Sequence, residues 1–243
     1  MAYDLRRIIA LAAKHGPDMT KPEVTGEYTP PAKGIAHARF IGYFELGLHE
    51  KEYEGKKSFK PLVELVFELS GPNHEPTKHA DGTRTPIRIT SRENISFTAK
   101  SHFFKLFGAM NYAGKATHMA ELLGEPFVVE IFHTKSADGK KTYANLRGPN
   151  GYNVKVKSLR SLAPAMTEIR AFIWDFADRD MWDSIHIPGE YPERKDDMGV
   201  VTSPAKSKNL IQDLIMSAGN WQDHPVYADV VANGVAPVKA QPK

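Results

Sequence analysis

The chain has 243 residues, with 32 Lys and Arg against 29 Asp and Glu and no cysteine. The lack of cysteine excludes disulfide staples, thiolate catalysis and cysteine-ligated metal centres, and no apolar run approaches the length of a membrane span. A formal charge of +3 is too small to argue for a polyanion partner from the chain as a whole.

The distribution of charge says more. Residues 28–160 hold 20 Lys and Arg against 13 Asp and Glu, whereas residues 161–243 hold 8 against 12. A basic first part followed by an acidic one suggests a polyanion surface with a competitor nearby.

At the N-terminus, Asp4–Lys14 has Leu5, Ile8, Ile9 and Ala12 at helical spacing, and Gly16-Pro17 ends the run. The apolar stretch Ile8–Ala13 is too short for a secretory h-region, so a soluble, cytosolic protein is expected. Pro22, Gly26 and Pro30-Pro31 then favour an extended lead-in.

The next hundred residues read as strands. In Ala36–Leu48 the residues Ala38, Phe40, Phe44 and Leu46 alternate with Arg39, Ile41, Tyr43 and Glu45, which predicts one strand with Tyr43 outward. A polar connector, His49–Lys60, leads to a second strand, Leu62–Leu69, and a third follows with Ile87 and Ile89. The period then changes. Phe103, Leu106, Phe107 and Met110 fit a helix over Ala99–Met110, and Thr117–Leu123 a short second one. Strand character returns at Glu125–His133, and Ser136-Ala137-Asp138-Gly139 turns into Lys141–Arg147.

Three strands, a helix and two strands is the order of the five-stranded oligonucleotide-binding (OB) barrel, whose helix lies between strands 3 and 4. The expected fold is therefore mainly β with added helices. Its divisions are an N-terminal arm (1–34), the barrel (35–160), a C-terminal extension on or beside it (161–230) and a flexible tail (231–243). Within the extension, Met166–Ala177 and Lys206–Ala218 are expected to be helical, the latter with Leu210, Leu214 and Ile215 inward and Ser203-Pro204 at its start; Trp182–Tyr191 is expected to be extended.

The stretches Gly34–Gly47 and Val63–Gly71 resemble the opening hairpin of single-stranded-DNA-binding proteins encoded by tailed bacteriophages. Phe104–Phe107, Leu123–Glu130, Asp138–Leu146 and Trp182–Ile185 with Gly189–Tyr191 are similar too, so the resemblance covers roughly residues 28–220. It implies a non-catalytic OB-fold protein in the cytoplasm of an infected bacterium, coating unpaired DNA during replication, recombination and repair. Phage replication or recombination proteins are the implied partners. Several related phage proteins end in a strongly acidic tail, whereas this chain ends in Pro237-Val238-Lys239-Ala240-Gln241-Pro242-Lys243; the acidic stretch 168–197 is the better regulatory candidate. Barrel edges or the C-terminal region offer a route to a homodimer.

Coating a single strand needs cations for phosphates and rings for bases, whose faces a duplex hides. On the first strand, parity exposes Arg39 and Tyr43. The connector, which would flank the binding face of such a barrel, interleaves Lys51, Tyr53, Lys56, Lys57, Phe59 and Lys60. Arg84, Arg88 and Arg92 extend the positive track, with Lys155 and Lys157 as weaker additions. On the last hairpin the exposed set is Phe132, Lys141, Tyr143, Asn145 and Arg147. Trp174, Trp182 and Trp221 sit among acidic or apolar neighbours and read as a satellite core.

Enzymatic readings lack motifs. No His-Glu-x-x-His, phosphate-cradling glycine loop or nucleophile elbow occurs, and His74 with His79 is a poor metal pair. Neither a catalytic residue, a metal ligand nor a cofactor is expected. The rival function is a phage structural or protein-interaction module on the same barrel, marked by an apolar exposed face; composition alone leaves DNA against RNA open.

Overall fold

The computed structural model describes residues 29–79, 81–156, 162, 164–196 and 198–236. The expected helix at Asp4–Lys14 and the cation Lys157 lie outside the described residues. The chain divides into two units at Pro30 and Pro31, and the second holds every strand and helix of the described residues.

Seven strands form one sheet: β1 (Gly34–Tyr53), β2 (Lys56–Ser70), β3 (Arg88–Asn94), β4 (Pro126–Lys135), β5 (Thr142–Asn145), β6 (Val154–Val156) and β7 (Arg170–Phe172). Their path is β6-β4-β1-β2-β3, with β5 paired to β4 and β7 lying parallel to β1. β1 pairs with β4 through its first six residues and with β7 through Gly42–Phe44, so one long strand serves two parts of the molecule.

The first core lies inside the curl. β1 supplies Ala38 and Phe40, β2 supplies Val63, Leu65, Phe67 and Leu69 at strict two-residue spacing, and β4 supplies Phe127, Val129 and Ile131. Each of the Val, Leu, Ile and Phe side chains among them, fully buried, contributes roughly 1.5–3 kcal/mol. Helix α1 (His102–Met110) closes the open end with Phe103, Leu106 and Met110 on its buried stripe. Its start is fixed by Ser101, whose hydroxyl accepts the Phe104 N–H at 3.1 Å and satisfies a donor that the helix leaves unpaired.

The fifth strand does not complete a hydrogen-bonded ring. Among the described residues no ladder joins β3 to β5; side chains bridge that gap instead. Glu93 of β3 accepts from Arg147 Nη1 at 2.9 Å and from the Tyr152 hydroxyl at 2.6 Å, and Ser91 shares that hydroxyl at 2.6 Å. The architecture is thus a curled, nearly closed five-strand sheet, a half-barrel with added helices. β5 is only four residues long and its ladder is taken up by β4, which leaves polar side chains to bridge to β3.

Two irregularities in β1 overturn its expected parity. The register against β2 slips between Phe40 and Gly42 and again between Glu45 and Gly47. Each slip inserts a residue and turns the strand over. Phe40 and Tyr43 therefore share the first core, whereas Phe44 and Leu46 face a second one.

That second core is built by the C-terminal region. β7, helices α2 (Arg179–Ser184), α3 (Leu210–Met216) and α4 (Tyr227–Asn233) and two 3-10 turns, Trp174–Phe176 and Trp221–Asp223, pack on Phe44, Leu46 and Leu62. As expected, the tryptophans are core: Trp182 and Trp221 stack with centroids 5.1 Å apart, and Trp174 packs beside them. The elements differ from expectation. Residues 170–176 form a strand and a 3-10 turn rather than a helix, because the C-terminal half of β1 has an edge to pair. Trp182 lies on a helix that Asp178 caps by accepting the Met181 N–H. Helix α3 starts after Asn209, later than expected, and Leu210 is exposed. The segment 231–236, expected to be flexible, is held: Trp182 Nε1 donates to Val235 O and Arg179 Nη2 to Ala236 O. No helix among the described residues is long and apolar enough to cross a membrane.

His224 sits in this second core between Phe172 and Trp221, both stacked on it, with Trp174 edge-on. Its Nδ1 accepts the Val226 N–H. Burial lowers its pKa below the ordinary histidine value, against hydrogen-bond and charge contributions from Trp174 and Asp175. A base with a depressed folded pKa binds its proton more readily in the unfolded chain, so stability is intact above about pH 6.5 and declines as pH falls through it. The urea midpoint should therefore fall more steeply from about pH 7.5 to about pH 5.5 in the wild type than in His224→Phe. Equal slopes in the two proteins would exclude the effect.

Candidate nucleic-acid interface

The polar connector His49–Lys60 is the end of a two-stranded ribbon. β1 runs on to Tyr53, β2 begins at Lys56, and Glu54-Gly55 turn between them with φ of 50° and 74°. Positive φ at both central residues is the geometry of a tight hairpin turn that matches strand twist. Lys51, Tyr53, Lys56, Lys57, Phe59 and Lys60 all lie on this ribbon and all are exposed. Lys57 pairs with Glu50 at 2.8 Å, while Phe59 rests one ring edge on Gly219.

The β4–β5 hairpin carries the second group. Register places Phe132 opposite Asn145 and Thr134 opposite Tyr143, so these four share a face. Tyr143 is 46 % exposed and Lys141 is exposed beside the turn. Phe132 is a correction: its ring covers the backbone of Gly148, where a Cβ would sit 2.6 Å from it, so it packs the hairpin instead of offering a free face. Arg147 follows β5, half-exposed, and holds Glu93.

Arg39 and Tyr43 do not belong to an open surface. Arg39 donates to Gly124 O at 2.6 Å and to Leu162 O at 3.1 Å, ties within the fold that occupy the guanidinium. Tyr43 is 1 % exposed because the slip after Phe40 turns it inward. Its hydroxyl donates to Glu45 at 2.8 Å and its ring meets His118 edge-on, and burial, followed by the charge of Glu45, pushes the phenol well above its usual range. No base can stack there. Arg88 is exposed on β3, and its partner across the ladder is Glu68, whose carboxylate accepts the Met166 and Thr167 N–H groups.

Between the two hairpins lies a cleft of about 420 Å³. His49 and Lys51 come to it from the base of the ribbon, Leu62 from β2, Arg92 and Asn94 from the end of β3, and Arg147 from beyond β5. It joins Lys51 of the ribbon and Arg147, both named as candidates from the sequence, to Arg92, which the sequence placed on an extension of the positive track, and to His49 and Asn94, which it missed. Leu62 and Asn94 are register partners, as are Glu64 and Arg92, so a strand pairing gives the position of Arg92.

Glu50 and Glu93 also line this cleft, but the acids in and beside it are already engaged. Glu93 serves Arg147 and Tyr152, Glu64 pairs with Arg92, and Glu50 pairs with Lys57. Arg92 spends its Nε on Glu64, yet a guanidinium carries five N–H donors in all. The two arginines can thus hold a carboxylate and still donate to an anion in the cleft. A second hollow, about 300 Å³ between α1 and the start of β4, is bordered by Glu121 and Glu125 with Lys115 as its cation, an unfavourable setting for phosphate.

Among the described residues no three of His, Asp and Glu gather as metal ligands. His74 instead bonds Ala32 O and His79 bonds the Thr85 hydroxyl. Comparison with known proteins finds no family model, no curated protein and no solved structure that matches this chain.

Proposed function

We propose that the protein is a non-catalytic OB-like module that binds single-stranded DNA, without strong sequence preference, across the cleft between its two hairpins. One observation carries the reading: Lys51, Arg92 and Arg147, brought from three separate stretches, meet at one open site. In OB folds the face of strands 2 and 3 and the two flanking loops hold oligonucleotides. The corresponding parts here are β2 with β3, the β1–β2 ribbon and the β4–β5 hairpin, and these are the parts that border the cleft or stand beside it. Cations would take the phosphates, and Tyr143 and Tyr53 offer rings to unpaired bases. The resemblance to phage proteins fits a role in replication or recombination.

The test is competition by matched single-stranded DNA, single-stranded RNA and duplex over a range of salt. Single-stranded DNA is expected to compete best at every salt concentration. Tyr143→Ala should weaken a short oligonucleotide by about one stacked base, roughly 1–3 kcal/mol, with the thermal unfolding curve unchanged because the ring is half in solvent. Equal competition by duplex throughout would reject the stacking account of single-strand preference, and no binding to any of the three would leave the rival, a protein-interaction module.

A further inference from the structure

The ribbon beyond Glu50 has two chemically different faces. Antiparallel register pairs His49 with Lys60, Lys51 with Ser58 and Tyr53 with Lys56. Directly opposed residues point the same way, and so does every second residue along a strand. His49, Lys51, Tyr53, Lys56, Ser58 and Lys60 therefore share one face, and it holds no acid. Glu50, Glu52, Lys57 and Phe59 take the other.

The two faces are also treated differently by the rest of the fold. On the acidic face, Glu50 and Lys57 neutralise each other and Phe59 leans on Gly219. The same C-terminal segment grips the ribbon at its base: Gly219 N–H donates to Leu48 O at 2.8 Å and Asn220 Oδ1 accepts the Leu48 N–H at 2.8 Å. On the basic face, the side chains of Lys51, Lys56 and Lys60 make no hydrogen bond or ion pair among the described residues, and His49 and Lys51 run into the cleft with Arg92 and Arg147. Its rungs recur about every 7 Å along the ribbon, a repeat suited to an extended phosphate backbone.

We infer that the basic face of the ribbon, carrying Lys51, Lys56, Lys60 and the ring of Tyr53, is a one-sided extension of the cleft along which a single strand of nucleic acid runs, while the acidic face is a strut set against Gly219. The inference rests on the cleft being a single-strand site. It makes Phe59 and Lys57 supporting residues, although sequence alone groups them with their neighbours.

Lys56 and Lys57 are consecutive, both exposed and chemically identical, yet they belong to opposite faces. The experiment measures the affinity of the full chain for a fluorescent oligodeoxythymidylate as a function of salt, for wild type, Lys56→Gln, Lys57→Gln and the triple variant Lys51→Gln/Lys56→Gln/Lys60→Gln. Removing one phosphate-binding cation should reduce the log–log salt slope by about 0.7, so the slope falls by about 0.7 in Lys56→Gln and by about 2 in the triple variant. Lys57→Gln should keep the wild-type slope. All positions stand outside both cores, and unchanged circular dichroism confirms that the comparison is between folded proteins.

If Lys57→Gln lowers the slope as much as Lys56→Gln, or the triple variant keeps the wild-type slope while the wild type binds, the one-sided track is wrong and the cleft survives. A wild type without salt-dependent binding overturns the cleft and the track together.

Discussion

Trp182→Ala should destabilise the protein by about 3–5 kcal/mol, the range for emptying a large aromatic site in a packed core. The side chain is fully buried, stacked on Trp221 at 5.1 Å and edge-on to Phe172 at 6.1 Å. Its indole N–H donates to Val235 O, and Gln212 donates to its carbonyl at 2.6 Å, so the residue joins α2, α3 and the stretch after α4. A loss of this size is a third or more of the stability of many domains. Because Phe44, Leu46 and Leu62 of the sheet lie in the same cluster, the C-terminal region and the sheet should unfold in one transition at lower denaturant. Urea unfolding followed by circular dichroism reads both points. Phe176→Ala is the control, since that ring is 79 % exposed and should change little. A Trp182→Ala curve superimposable on the control would mean that the second core does not support the fold.

The long strands β1, β2 and β4 were legible because their apolar residues follow period two, as Val63, Leu65, Phe67 and Leu69 do, whereas the three-residue strands β6 and β7 were not. α1 was legible for the matching reason at period 3.6. Tyr43 was not. Gly42 and Gly47 hint at bends or bulges in the strand, but a bulge has no required residue type, and nothing in the sequence says that the residues between the two slips change face. The ribbon was half visible: its charges were plain, but a hairpin over Glu54-Gly55 has a weaker signature than Asn-Gly or Asp-Gly. In the C-terminal region, tryptophans in acidic or apolar company were recognisable as core, while elements of three to seven residues were too short for periodicity to define. As for the cleft, Lys51 and Arg147 stand ninety-six positions apart in sequence, and only the curl of the sheet makes them neighbours.

Where the ribbon leaves the body, Gly47→Ala should cost about 2–5 kcal/mol, combining an unfavourable positive φ with overpacking. Gly47 has φ of 82°, and a Cβ there would overlap the Trp174 ring and approach Ala218 Cβ to 2.7 Å. The ring has little room to retreat: the Trp174 backbone N–H is held by Glu45 at 2.8 Å and the ring makes a T-shaped contact with His224, centroids 4.5 Å apart. The strain falls one residue before Leu48, whose N–H and C=O are both tied to the Gly219-Asn220 segment. Amide exchange at Leu48 and Gly219 should therefore quicken as those bonds part, and the ribbon should lose its fixed direction relative to the cleft. Gly55 separates the two contributions. It also has positive φ, 74°, but nothing lies within 4 Å of the missing Cβ. Gly55→Ala should thus show the backbone strain alone, with exchange at Leu48 unaltered. If the two variants lose equal stability, the close approach of Trp174 contributes nothing, and the C-terminal region does not hold the ribbon in place.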